Sequence, residues 1–84
     1  MNDVTLYTGN TCPCCTSSRQ LLASKGITPI EINVEDNLEN LRDLVGQVGR
    51  RSYPQIFIGI HHIGGFHDMA ALDRDGHLDA LLGR

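Results

Sequence analysis

Thr11-Cys12-Pro13-Cys14-Cys15 is the stretch around which this 84-residue chain is organised. Cys12 and Cys15 stand in a C-x-x-C spacing directly after a short apolar strand pattern, Val4-Thr5-Leu6-Tyr7, and they open a stretch that reads as a helix. A thiol at a helix N-terminus faces backbone N–H groups that no earlier turn satisfies, together with the positive end of the helix dipole. Both favour the thiolate. Such positions lower a cysteine pKa from about 8.5 to roughly 3.5–7.5, and the thiolate is the nucleophile of thiol–disulfide exchange. The pattern predicts a redox pair, with Cys12 as nucleophile and Cys15 as resolving thiol.

Other uses of cysteine fit less well. A free cysteine is often a small buried hydrophobe, and C-x-x-C is also half of many zinc sites. A structural zinc site draws its other two ligands from a second, distant pair. Here all three cysteines lie in one run, no second C-x-x-C follows, and His61 and His62 are adjacent. Nor can three cysteines at one end staple distant parts of the chain.

Composition narrows the class. The length suits a single domain, 1–84, and 40% hydrophobic residues give a modest core without staples. A formal net charge of −3 offers no basic surface for nucleic acid. No apolar run approaches the roughly 18 residues of a membrane span. Met1-Asn2-Asp3 lacks the charged and apolar regions of a secretory signal. Free thiols without a signal point to a reducing cytoplasm.

The rest of the chain supplies a scaffold. Residues 3–8 alternate apolar and polar and run into Gly9-Asn10, a strand ending in a loop. Thr11 is expected at the N-cap or just before it, and Pro13 in the first helical turn, where its missing N–H costs nothing. Ser24-Lys25-Gly26 closes that helix. Ile30, Ile32 and Val34 alternate again, so the first half is a β-α-β unit with parallel strands. Asp36 or Asn37 caps the next helix, with Leu38, Leu41, Leu44, Val45 and Val48 on one face and Gly49 at its end. Gln55-Ile56-Phe57-Ile58 and His61-His62-Ile63 form a hairpin around Gly59-Ile60. Asp68 is placed to cap a helix over Met69, Ala70, Ala71 and Leu72, and a last short helical piece carries Leu78, Leu81 and Leu82. Leu38, Leu41, Leu44 and Leu72 are expected in the core. The order β-α-β-α-β-β-α implies an α/β layer fold with helices over a mixed four-stranded sheet. C-x-x-C on the first β-to-α turn of such a fold reads as a thioredoxin-like redox motif.

These residues resemble the glutaredoxin family, and closest the small bacterial dithiol members. The resemblance runs over essentially the whole chain. It is carried by Tyr7-Thr8, Thr11-Cys12-Pro13-x-Cys15, Lys25-Gly26, Pro54-Gln55-Ile56-Phe57-Ile58, His62-Ile63-Gly64-Gly65, Ala71-Leu72-Asp73 and Leu78-x-x-Leu81-Leu82. It implies glutathione as co-substrate, no bound cofactor or metal, and disulfide-containing or glutathionylated client proteins as partners. Pro54 matches a cis-proline facing the active site. Ser52 and Tyr53 match residues that pair with the glutathione backbone as a strand would. Gly65, Phe66, His67 and Asp68 match the segment holding the γ-glutamyl end, where a helix N-terminus suits a carboxylate. Thr11, Pro13 and Cys14, beside the nucleophile, complete the expected glutathione site. Nothing suggests an obligate interface, so a monomer is expected.

Three positions depart from the family pattern. Gly9 stands where a lysine usually supports the thiolate and pairs with the glycyl carboxylate. His67 stands in place of an aspartate, and Cys14 in place of an aromatic residue. Cys14 reads either as a small exposed replacement or as a third redox-active thiol. Phe66 reads as groove lining or as packing, and His67 as a switchable charge or a solvated loop residue. His61 and His62 read as hairpin surface residues, and Arg50-Arg51 as a basic pair that could attract the anionic tripeptide. The resulting expectation is a glutathione-dependent thiol–disulfide oxidoreductase acting through Cys12 and Cys15. Its alternatives are a ribonucleotide reductase donor reduced by thioredoxin reductase, toward which Gly9 leans, and a glutathione-ligated iron–sulfur carrier, which Pro13 disfavours.

Overall fold

Strand β1 (Val4–Thr8) lies inside a sheet with β2 (Ile30–Asn33), β3 (Gln55–Ile58) and β4 (His61–Gly64), in the order β2-β1-β3-β4. The computed structural model describes residues 3–49 and 52–83. β1 runs parallel to β2, and β3 runs antiparallel to both β1 and β4. The parallel step is bridged by helix α1 (Pro13–Ser24). Helix α2 (Leu38–Val48) leads back to β3. The expected hairpin turn at Gly59-Ile60 is present, with Gly59 at φ 59°. Helix α3 (Phe66–Arg74) follows, and the C-terminal piece separates as a four-residue helix, α4 (Leu78–Leu81).

Period-two alternation sorts side chains to the two faces of the sheet. Val4 and Leu6 of β1 join Ile56 and Ile58 of β3, Leu22 of α1, Met69 of α3 and Leu78 of α4 in the larger core cluster. Tyr7 points the other way, into a smaller cluster with Val34 and Leu44, flanked by Phe57 and Tyr53. Each fully buried leucine contributes about 1.5–3 kcal/mol relative to exposure. The sheet therefore carries α1, α3 and α4 on one side and α2 on the other. Its longest helix, α1, has twelve residues, and no helix among the described residues is long and apolar enough to cross a membrane.

Caps fall close to the expected positions. Asn37, rather than Asp36, caps α2, its Oδ1 accepting from the N–H groups of Glu39 and Asn40 at 3.0 and 3.2 Å. Gly49 ends the helix at φ 79°, where a side chain would be strained. Leu44 is fully buried, and Leu41 and Leu72 pack against the two clusters, but Leu38 is 62% exposed. At 3.6 residues per turn Leu38 projects about 120° away from Leu44, past the edge of the buried stripe. Asp68 is not the N-cap of α3. Gly65 takes that place, and Asp68, three residues on, returns its carboxylate to the Gly65 N–H at 3.0 Å. The helix starts earlier than its apolar run suggests because this side chain satisfies the entering backbone.

Candidate active site

Cys12 is the N-cap of α1, held in an extended conformation, with Thr11 just before it and Pro13 as the first helical residue. Cys12 Sγ accepts the Cys15 N–H at 3.1 Å, so a backbone donor is already aimed at the sulfur on which a thiolate would form. Cys12 and Cys15 form a disulfide with their Cα atoms 5.1 Å apart. One helical turn brings the two sulfurs together but gives them different surroundings. Cys12 is partly exposed at the helix tip, whereas Cys15 is fully buried. An incoming disulfide can reach only the first. Cys14 carries a free, partly exposed thiol.

Beside this tip lies an open groove of about 260 Å³ lined by Cys14, Ser52, Tyr53, Pro54, Gln55, Gly64, Gly65, Phe66, His67 and Asp68. Eight of the expected glutathione-site residues meet there. Thr11 and Pro13 do not line it and sit exposed on either side of Cys12. Arg50 and Arg51 lie outside the described residues. Gln55 and Gly64 also line the groove, although the motifs assign them no role in the site. Their adjacency to Pro54 and Gly65 is the one signal of it in the sequence. The Tyr53–Pro54 peptide bond is cis, as the resemblance implies.

Close approach determines Gly64. A Cβ on Gly64 would overlap the Asp68 carboxylate, and its φ of 110° is a region side chains avoid. Gly65 lies against the Pro54 carbonyl, 3.6 Å from where its Cβ would stand. The N-terminus of α3 thus lies against the segment before β3. That brings first-turn N–H groups and the positive helix end to the groove. Asp68 is already engaged with the Gly65 N–H.

Around Gly9 the structure differs from what a lysine at that position would make. Gly9 is buried beneath the Tyr53 ring, and the Tyr53 hydroxyl donates to Glu35 Oε1 at 2.5 Å. Asn10 and Asn33 brace the loops around it. Asn33 Nδ2 donates to Asn10 Oδ1 at 2.8 Å, Asn10 Nδ2 donates to Asp36 Oδ1 at 2.8 Å, and Asn33 Oδ1 accepts from the Glu35 and Asp36 N–H groups.

The glutaredoxin family profile matches residues 4–63. The chain belongs to the glutaredoxin family. It is 43% identical over 82 residues to glutaredoxin 3 of Escherichia coli, covering 98% of this chain and 99% of that one. The solution structure of a glutaredoxin from Brucella melitensis is 41% identical and superposes with a TM-score of 0.83, over 100% of this chain and 94% of that one. A buckwheat glutaredoxin crystallised in complex with glutathione is 26% identical, with a TM-score of 0.86 over 98% of this chain and 77% of that one. This glutaredoxin is thus a thiol–disulfide oxidoreductase with a thioredoxin-like fold and a Cys12/Cys15 redox pair.

Proposed function

We propose that this glutaredoxin uses glutathione to reduce protein disulfides and protein–glutathione mixed disulfides. The observation that carries the reading is the asymmetry of the sulfurs: Cys12 partly exposed at the tip of α1 beside the groove, Cys15 fully buried behind it. In the reduced protein the Cys12 thiolate attacks one sulfur of the substrate disulfide, and the departing thiolate takes up a proton. The resulting mixed disulfide is resolved in one of two ways. Cys15 loses its proton and attacks Cys12 Sγ, which closes the intramolecular disulfide and expels the client or glutathione thiolate. Where Cys12 holds glutathione, a second glutathione thiolate can instead attack the glutathione sulfur, which forms oxidised glutathione and releases the Cys12 thiolate. The closed disulfide is returned to the dithiol by two glutathione molecules, which leave as their own disulfide.

The groove suits a peptidic thiol. Ser52, Tyr53 and Pro54 line the groove just before β3, where their backbone lies within reach of a peptide. The N-terminus of α3 offers N–H groups to a carboxylate. We assign glutathione to this groove, with Cys14, Ser52, Tyr53, Pro54, Gly65, Phe66, His67 and Asp68 as its lining, and Thr11 and Pro13 as flanks of the reacting sulfur. The known glutathione complex of a family member of the same fold supports the assignment. We further propose action as a monomer on cytoplasmic client proteins.

A second reading draws its electrons from thioredoxin reductase. It is favoured by Gly9, whose side-chain space holds the Tyr53 ring and the Glu35 carboxylate where a cation for the glycyl carboxylate is expected. Reduction of the oxidised protein by glutathione with glutathione reductase, and separately by thioredoxin reductase, each followed by NADPH consumption, tests both. Rapid turnover with glutathione is expected. Turnover only with thioredoxin reductase would replace the proposed reductant.

A further inference from the structure

One polar chain in the groove takes no part in the sulfur exchange. Gln55, the first residue of β3, is only 4% exposed, yet both ends of its amide are satisfied. Its Nε2 donates to Ser52 Oγ at 2.9 Å, and its Oε1 lies 2.7 Å from Nε2 of His62. His62 belongs to β4, pairs in register with Phe57 of β3, and stacks its ring on Phe57 at 4.9 Å with 27° between planes. The ring is therefore held in place by packing as well as by its hydrogen bond.

The chain has a direction. An amide oxygen only accepts, so with Gln55 Oε1 facing His62 the Nε2–H tautomer is the one that completes the contact as a donor. An amide nitrogen only donates, so Ser52 Oγ spends a lone pair on Gln55 and its own hydroxyl hydrogen is left for another partner. Ser52 lines the groove, so that hydrogen is available there. Turning the amide over would reverse every step. Ser52 would donate inward to Gln55 and keep only lone pairs for the groove, and His62 Nε2 would have to accept. The proton on His62 selects between these two polarities.

We propose that His62 is a positioning residue: through Gln55 it sets Ser52 as a hydrogen-bond donor toward a carbonyl or carboxylate oxygen of a peptidic disulfide substrate. The inference rests on the reading that such substrates occupy this groove. Its role is specific to the substrate's oxygen and distinct from sulfur chemistry. It therefore acts on substrate affinity, whereas the exchange step depends on Cys12 and Cys15.

The test has two arms. In the wild-type protein, nitrogen-detected NMR of the neutral His62 ring reads its tautomer directly. The Nε2–H form is expected, and the Nδ1–H form would overturn the proposal whatever the substrate proves to be. Kinetics with a glutathionylated peptide supply the second arm, for which wild-type turnover is the control of the functional reading itself. His62→Glu places an acceptor against Gln55 and reverses the chain, so KM should rise about fivefold, the worth of one neutral hydrogen bond, with kcat changing less than about twofold. His62→Gln restores a donor and should keep KM within about twofold of wild type. In a Ser52→Ala background His62→Glu should add nothing further. An equal rise in KM in both backgrounds would mean that His62 acts independently of Ser52.

Discussion

The Tyr53 ring lies across Gly9 and occupies the space that a side chain at position 9 would need, while its hydroxyl is tied to Glu35. A missing side chain in the loop after β1 is thus matched by an aromatic one from the segment before β3. The departure from the family pattern at Gly9 is packed, not vacant.

Gly9→Lys should therefore be destabilising. The added Cβ overlaps the Tyr53 ring and the Glu35 carboxylate, so the ring must swing out and its hydrogen bond must break. Overpacking of this kind costs about 1–3 kcal/mol. In a domain of this size each kcal/mol lowers Tm by about 4–8 °C. Adding Tyr53→Val should recover most of the loss, and thermal denaturation of the two variants checks it. An unchanged Tm for Gly9→Lys alone would show that the ring moves freely.

The two redox sulfurs should differ sharply in reactivity. In the reduced protein iodoacetamide should modify Cys12 first and Cys15 last, read by peptide mass spectrometry, because Cys15 is fully buried. Cys12→Ser should abolish activity. Cys15→Ser should keep exchange with glutathione mixed disulfides and lose reduction of protein disulfides by the dithiol route. Its hydroxyl would be fully buried, which should also cost about 1–3 kcal/mol without a hydrogen-bond partner.

Cys14 should account for the only thiol in the oxidised protein. The chain has three cysteines, two of them joined to each other. Titration with a chromogenic disulfide should find one thiol per oxidised chain in wild type and none in Cys14→Ser. A thiol remaining in the variant would mean that Cys12 and Cys15 are not the residues joined in the oxidised protein.

Lys25 should make stability depend on alkaline pH. Its ammonium lies 2.6 Å from Asp73 Oδ1 in α3 and 3.1 Å from Asp79 Oδ1 in α4, pinning the end of α1 to both helices. The bonds to Asp73 first, and then Asp79, hold its pKa above the ordinary 10.5. A pKa raised by folding contributes stability in full below the unfolded value, and the contribution disappears as pH climbs through the folded one. Lys25→Met should lower Tm at neutral pH, and its curve should converge with wild type above the ordinary lysine range. Parallel melts across pH test this, and a constant gap would mean that packing, not charge, is responsible.

Signals that act within one or two turns of chain are legible in the sequence. Asn37 and Gly49 cap α2 because a side-chain acceptor and a left-handed glycine act on the nearest backbone. Groove residues around Pro54 and Gly65 are legible from motifs. Leu38 misleads because its three-residue spacing to Leu41 continues a helical face that the sheet does not reach. Asp68 misleads because a carboxylate at the third helical position caps backward as effectively as one at the start caps forward.

Local spacing and periodicity by themselves determined that this chain alternates strands and helices and carries two thiols one turn apart at a helix start, since those depend on backbone geometry over a few residues. Tertiary structure alone decided that Cys15 is buried while Cys12 is not, that Tyr53 covers Gly9, and that His62 reaches Ser52 through Gln55. Each of these is a contact set by how the sheet brings separate segments together. Side-chain burial and hydrogen-bond polarity belong to that packing, and no local pattern encodes them.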